Sequence, residues 1–261
     1  MEHLIQHFRK DEQTFIEKVI CWQREVEDRF APKLTDFLDP RERFIVSSII
    51  GQQNDLVVKT YGGFQDAERQ RLFICPSYYE PTDDDFQITF FSINYPTKFV
   101  QLKHPDVLGA LLSLGLGRGK FGDIRIEENT IQFAVVGEVQ DYILANLTSI
   151  GKSKVKLEQL KTTEELITLT EEWFDKSYTV SSMRLDVILA TVVNISRQKS
   201  QSLIKAGKVK VNWTVREDAS FEVQEGDVLS ARGYGRIKVT MTEGRTKKDK
   251  IRLQVGRLEQ K

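Results

Sequence analysis

Cysteine and histidine are scarce in this chain, with two and three residues among 261. Cys21 lies in a helical pattern and Cys75 in a strand-like run, and neither has a Cys or His close to it. That spacing excludes a zinc-finger type of metal site, so two buried, reduced thiols are expected. His3 and His7 fall near the start of the chain. His104 is followed two residues later by Asp106, a pair that could act as a general base, but a helix start and a first-turn carboxylate account for both. No apolar run approaches the roughly 20 residues of a membrane-spanning helix. The opening Met1-Glu-His-Leu-Ile has neither a basic leader nor a cleavage site, and a cytoplasmic location is expected.

What is present suits a globular chain: 40% of residues are hydrophobic, enough for one large domain or two to three small ones. The formal net charge of zero hides a segregation. Residues 181–261 hold 17 Lys and Arg against 9 Asp and Glu, net +8, whereas the first 180 residues hold 21 against 29, net −8. A basic end on an acidic body favours nucleic-acid contact through one face and discourages indiscriminate wrapping.

From the N-terminus, Phe15, Val19, Trp22, Val26 and Phe30 recur at three to four residues and predict a helix with those side chains toward the core. Ala31-Pro32 breaks it, and Asp39-Pro40 opens another helix, with Asp39 as N-cap and Pro40 at the first helical position, running through Phe44, Ile45 and Ile49 to Gly51. Residues 55–61 alternate like a strand. Residues 1–70 therefore read as a helical N-terminal region.

Residues 71–160 read as a small α+β sandwich, ferredoxin-like or RRM-like. Strands are expected at 71–75, 86–94, 123–127, 130–135 and 154–157, and helices at 105–114 and 138–146. No RNP-type aromatic motif marks the sheet. Gly115, Gly117, Gly119 and Gly122 follow the first of these helices and present Arg118 and Lys120, a candidate second RNA or ribosome contact. The glycines close a helix and do not open one, and no Lys-Ser/Thr pair follows them, so a nucleotide-binding P-loop is excluded. Residues 161–180, with Glu164, Glu165, Glu171 and Glu172 interspersed by Leu166, Leu169 and Trp173, predict a short acidic linker helix.

The last segment, 181–261, holds the densest signals. Ser181 and Ser182 stand ready to cap a helix carrying Leu185, Ile188, Leu189 and Val192. Ser196 caps a second, which carries Leu203 and Ile204 and stops at Gly207. Val209 and Val211 then alternate with Lys208, Lys210 and Asn212, and strands are expected at 228–232 and 236–241. Arg184, in the first turn of the first helix, and Arg197 and Lys199, opening the second, oppose the helix dipoles, which points to an anionic partner. Helix N-terminal N–H groups suit phosphate, and Arg232, Arg236 and Lys238 add charge on the sheet. The basic run 246–250, with Lys247, Lys248 and Lys250, is expected to be a solvated edge that could add salt-dependent RNA affinity.

Arg184-Leu-Asp186, Ser196-Arg197, Ile204-Lys-Ala-Gly207, Val209-Lys-Val-Asn212 and Gly226-Asp227-Val-Leu-Ser-Ala-Arg232-Gly233 stand in an order and spacing that resembles the S4 (αL-type) RNA-binding domain. The resemblance implies an L-shaped surface for structured RNA, with Arg184, Arg197, Lys199, Lys205 and Lys208 as the main contacts and Asp186, Ser196, Ser200, Asn212, Arg232 and Arg236 completing the set. With His104-x-Asp106-x-Leu-Gly109 and Gly117-Arg118-x-Lys120-x-Gly122-Asp123 added, nearly the whole chain is similar to the YlmH family of bacterial proteins. That resemblance implies a factor that binds rRNA and tRNA on the large ribosomal subunit in ribosome-associated quality control, with a link to cell division and its proteins; a monomer without cofactor or catalysis is expected. S4 modules also occur on pseudouridine synthases and RNA methyltransferases. No arginine-leucine-aspartate catalytic context lies outside the C-terminal module, and no glycine-rich loop follows a first strand, so an RNA-modifying enzyme is the second alternative and a division adaptor the third.

Overall fold

The computed structural model describes residues 8, 12–51, 55–168, 173–246 and 249–258. Two units divide the chain, residues 1–169 and 170–261. Both mix helices with antiparallel sheets, the α+β class expected.

Helix α1 (Gln13–Arg29) buries Ile16, Val19, Trp22 and Val26, with Phe15 set edge-on to Trp22 at 6.0 Å. Its apolar face stops one turn earlier than expected. Phe30 takes a left-handed conformation, φ 52°, that ends the helix and leaves its ring 74% exposed. Strand β1 (Lys33–Leu38), absent from the sequence reading, is irregular between Leu34 and Phe37, and a bulge breaks the two-residue alternation by which a strand is recognised. Helix α2 (Pro40–Ile50) begins as Asp39-Pro40 dictates: Asp39 Oδ1 accepts the Glu42 N–H at 2.8 Å, and Glu42 Oε2 accepts the Asp39 N–H at 2.8 Å.

Strands β2 (Leu56–Tyr61) and β3 (Gln70–Pro76) join β1 in a three-stranded antiparallel sheet of order β1-β3-β2. The run at 71–75 is thus the central strand of this first sheet and not part of the second, and the expected boundary at residue 71 falls inside it. Leu72 and Ile74 face the cluster of α1 and α2, while Phe73 and Cys75 face Phe86. Buried on both faces, β3 has no polar side to show which sheet it serves. Cys75 is buried as expected; Cys21 is exposed, because it falls on the outer side of α1.

The middle sheet is built from β4 (Ile88–Asn94), α3 (His104–Ser113), β5 (Phe121–Glu127), β6 (Thr130–Val136), α4 (Gln140–Asn146), the small hairpin β7 (Ser149–Ile150) and β8 (Ser153–Lys154), and β9 (Lys156–Gln159). Its antiparallel order, β5-β6-β4-β9, is that of the split βαββαβ arrangement. Phe91, Ile93, Ile131 and Phe133 pack beneath Val107, Leu111 and Ile143 of the two helices. Each such buried side chain stabilises the fold by about 1.5–3 kcal/mol.

The opposite face of this sheet is covered within the same unit. Phe90, Ala134 and Val136 pack on Phe37 and Phe64. Gln132 donates to the Glu165 carbonyl at 2.8 Å and accepts the Ile167 N–H at 2.7 Å, holding the following segment across the sheet. That segment is not the acidic helix expected for 161–180. Thr163–Glu165 makes one 3-10 turn, Leu169, Glu171 and Glu172 lie outside the described residues, and residues 174–180 form a strand of the second unit.

That second unit comprises β10 (Phe174–Val180), α5 (Leu185–Val192), α6 (Arg197–Lys205), β11 (Val209–Val211), β12 (Thr214–Val215), β13 (Val228–Ala231), β14 (Gly235–Arg245) and β15 (Ile251–Leu258). One six-stranded sheet, β10-β15-β14-β13-β11-β12, carries the two helices. Leu185, Ile188, Leu189 and Val192 of α5 and Ile204 of α6 meet Val209, Val211, Leu229, Ile237, Val239, Leu253 and Val255 in its core. Lys247 and Lys248, like His3 and His7, lie outside the described residues.

Candidate nucleic-acid interface

Leu185 to Val192 are so uniformly apolar that α5 buries almost its whole length, and Asp186 is carried inside with it. The Asp186 carboxylate is 0% exposed and gathers three side chains. Arg184 Nε donates to Oδ1 at 3.0 Å and its Nη2 to Oδ2 at 3.3 Å; Arg197 Nε and Gln201 Nε2 donate to Oδ2 at 2.9 and 2.8 Å. Burial opposes ionisation, but the bonds from Arg184, Gln201 and Arg197 outweigh it and hold this carboxyl down at about 2. The arginine heads stay half in solvent, with side chains 39% and 56% exposed. One buried anion therefore fixes two cations from two different helices at one place on the surface.

Four residues assigned to the RNA-binding set also make hydrogen bonds that hold the unit together. Asp186 is the anchor just described. Buried Ser200 donates to the Asp186 carbonyl at 3.0 Å and ties α6 to α5. Ser196 caps α6 as expected, accepting the Lys199 N–H at 3.2 Å. Asn212 occupies a left-handed turn, φ 47°, where its amide donates to Asp227 at 2.7 Å and accepts the Val228 N–H at 2.9 Å.

The start of α5 also departs from expectation. Arg184, and neither Ser181 nor Ser182, is its N-cap. The Leu185 and Asp186 N–H groups are taken by the Phe221 and Ala219 carbonyls at 2.8 and 3.2 Å, so they are not offered to phosphate. Residues 219–223, which run beside residues 183–186 and include the Arg184–Glu222 bridge, do the capping that a serine was expected to do.

The remaining basic residues extend from the Asp186 cluster. Arg197, Gln201 and exposed Lys205 follow one another at four-residue steps along one stripe of α6. Exposed Lys199 sets its ammonium 6.0 Å from the centre of the Tyr234 ring, which lies in the β13–β14 turn between exposed Arg232 and half-buried Arg236. The Arg232 N–H donates to the Lys208 carbonyl at 3.0 Å, which brings those two residues together at the start of β11. Arg184, Arg197, Lys199, Lys205, Lys208, Arg232 and Arg236 thus form a linked series across α6 and the β13–β14 turn. Gln201 and Tyr234 were not singled out from the sequence. Gln201 is signalled only by its place on the Arg197–Lys205 stripe, and Tyr234 only by the glycines either side of it.

The glycine stretch of the first unit does something different from what its sequence suggested. Arg118 Nη1 donates to the Phe121 and Gly122 carbonyls at 2.6 and 3.3 Å, and burial, with the nearby Arg69, pushes its guanidinium down to about 10. Lys120 Nζ bonds Asp36 at 2.8 Å and Glu138 at 3.2 Å. Asp123 accepts the Glu68 and Arg69 N–H groups at 2.8 and 3.0 Å. A Cβ on Gly122 would stand 2.8 Å from Phe37 and 2.9 Å from Ala134. These residues form a joint between the first and middle sheets, and Arg118 and Lys120 make these bonds within it. Asp106 accepts the Lys103 N–H at 2.9 Å as the capping carboxylate of α3. Among the described residues no group of three metal-ligating side chains occurs, and no helix is long and apolar enough to cross a membrane.

Three family models match: "YlmH, N-terminal" over residues 11–79, "Putative RNA-binding domain in YlmH" over 81–164, and "S4 domain" over 183–229. The chain is 46% identical over 253 residues to the Ribosome-associated protein quality control protein P2 of Bacillus subtilis (strain 168), spanning 97% of this chain and 98% of that one. It is also similar to the solved structure of the Cell division protein ylmH from Streptococcus pneumoniae, with a TM-score of 0.53, 31% identity and coverage of 62% of this chain and 98% of the other.

Proposed function

Because the chain belongs to the YlmH family, we propose that it is a non-catalytic RNA-binding factor that grips the large ribosomal subunit and tRNA through its S4 domain, in ribosome-associated quality control of stalled translation. The observation that carries this reading is the Asp186 cluster. Arginines aimed by a buried carboxylate are preorganised, so little side-chain entropy is lost when their outer N–H groups meet phosphate. The work is binding and placement: cations neutralise phosphates, and the shape of the helix pair selects folded RNA.

Arg197→Ala and Arg184→Ala should each weaken co-sedimentation of the purified full-length protein with ribosomes by roughly tenfold, the scale of one hydrogen bond to a charged group at about 1.5 kcal/mol. Both variants should remain folded, since Gln201 and the other arginine still hold Asp186. Unchanged co-sedimentation of both would remove this surface from the interaction.

The relative solved from Streptococcus pneumoniae is named as a cell division protein, and this favours a second reading, an adaptor to division proteins. The two part on RNase treatment: partners recovered undiminished after digestion support the adaptor, and partners lost with the RNA support the RNA-binding factor.

A further inference from the structure

The loop from β4 to α3 carries the most exposed large hydrophobic side chain of the described residues, Phe99, at 87%. The loop holds it there. The Thr97 N–H donates to the Tyr95 carbonyl at 2.8 Å, and the Phe99 and Val100 N–H groups donate to the Pro96 carbonyl at 3.0 and 3.2 Å. Tyr95 and Val100 on either side pack against the middle core. A turn anchored at both ends thus points one aromatic ring into water.

The topology brings basic residues to the same end of the domain. Asn94, the last residue of β4, pairs with Lys156, the first of β9. The β7–β8 hairpin, with Lys152 in its turn and Lys154 opposite Ser149, leads directly into that strand, and α3 begins after Lys103. Lys98, Lys103, Lys152, Lys154 and Lys156 are all exposed, and among the described residues no ion pair joins any of them to a carboxylate. The acidic groups nearby are engaged: Asp106 caps α3, and Glu158 accepts from Asn94 at 3.2 Å. Glu127 and Glu128 reach the same end of the sheet through the β5–β6 turn, on the edge strand β5, with β6 and β4 between them and β9.

We propose that this end of the middle domain is a second RNA-binding site, where Phe99 stacks on an unpaired base and the five lysines neutralise the phosphates around it. Phe99 stands out alone among cations. A protein-docking hot spot is instead ringed by further apolar side chains, whereas base stacking needs one open ring beside positive charge. The site lies on loops because the sheet face that binds bases in RRM-type domains is here closed by Phe37, Phe64 and the segment held by Gln132. The inference rests on RNA being the ligand of the chain, but it assigns a surface separate from the Asp186 cluster.

The test uses the full-length protein, a labelled twelve-nucleotide oligouridylate carrying one 5-iodouridine, fluorescence anisotropy, and photocrosslinks mapped by mass spectrometry. Phe99→Ala should lower affinity by about fivefold or more, the range of one base–aromatic stack, with an unchanged melting curve because the ring is exposed. The crosslink should fall on Phe99 and should persist in the Arg184→Ala/Arg197→Ala double variant. Equal affinity of parent and Phe99→Ala, crosslinks confined to residues 170–261, or no measurable binding of the oligonucleotide by the parent chain would each overturn the proposal, and none of them would touch the ribosome-binding result for Arg184 and Arg197. Retained ribosome co-sedimentation in those arginine variants, alongside a Phe99 crosslink in the parent and a lower oligonucleotide affinity in Phe99→Ala, would instead remove the reading of the S4 surface and keep this site.

Discussion

At the scale of single residues, Asp186 organises the second unit, and its chemistry makes a pH-dependent prediction. Its carboxyl is held at about 2 in the fold, below the ordinary value of about 3.9 in an unfolded chain. A depressed carboxylate contributes stability that is complete above the unfolded value and is lost as pH falls toward the folded one. Between about pH 4 and pH 2 the protein should lose roughly 1 kcal/mol from this site, once solvent around the arginine heads is allowed for. In Asp186→Asn that component should be missing. Urea unfolding of both proteins across this range checks it, and an identical pH response would show that the carboxylate contributes nothing. The Arg184-Leu-Asp186 triplet was visible in the sequence, but the roles of its members were not. An aspartate between two apolar residues reads as another contact until the fold shows that its position on α5 faces inward.

At the scale of elements, what the chain spells out in local chemistry the structure follows. Asp39-Pro40 and Ser196 start helices where their cap chemistry requires, and Gly207, at φ 66°, follows the end of α6. Elements defined by distant partners were harder to read. Strand β1 is broken by a bulge, β3 has no polar side, and β10 reads as linker because Phe174–Val180 is mostly exposed and gains its strand form by pairing along the whole of β15. The glycine stretch belongs with these. Gly122 was grouped with the glycines that present Arg118 and Lys120, yet its missing side chain is what lets Phe37 of β1 lie against β5. Gly122→Ala should therefore cost about 1–3 kcal/mol through overpacking, read as a fall in melting temperature with RNA binding by the second unit retained at low temperature. A variant as stable as the parent would mean that Phe37 has room to move aside.

At the scale of the whole molecule, segregated charge makes the salt response informative. If Arg184, Arg197, Lys199, Lys205 and Lys208 each meet one phosphate, affinity for ribosomal RNA should fall on the order of a hundredfold or more between 50 and 200 mM salt, taking a log–log slope of about 0.7–0.9 per contact. A flat response in a binding titration would point to docking on protein instead. The amino-acid sequence by itself determined the starts of α2 and α6, most of the elements of the middle sheet and the concentration of cations in the last eighty or so residues, because caps, periodicity and charge are encoded by near neighbours. Only the tertiary structure decided which polar groups face water. Asp186 and Ser200 were drawn inward while Phe99 was held out, since burial depends on which segments pack together and those partners lie far apart along the chain.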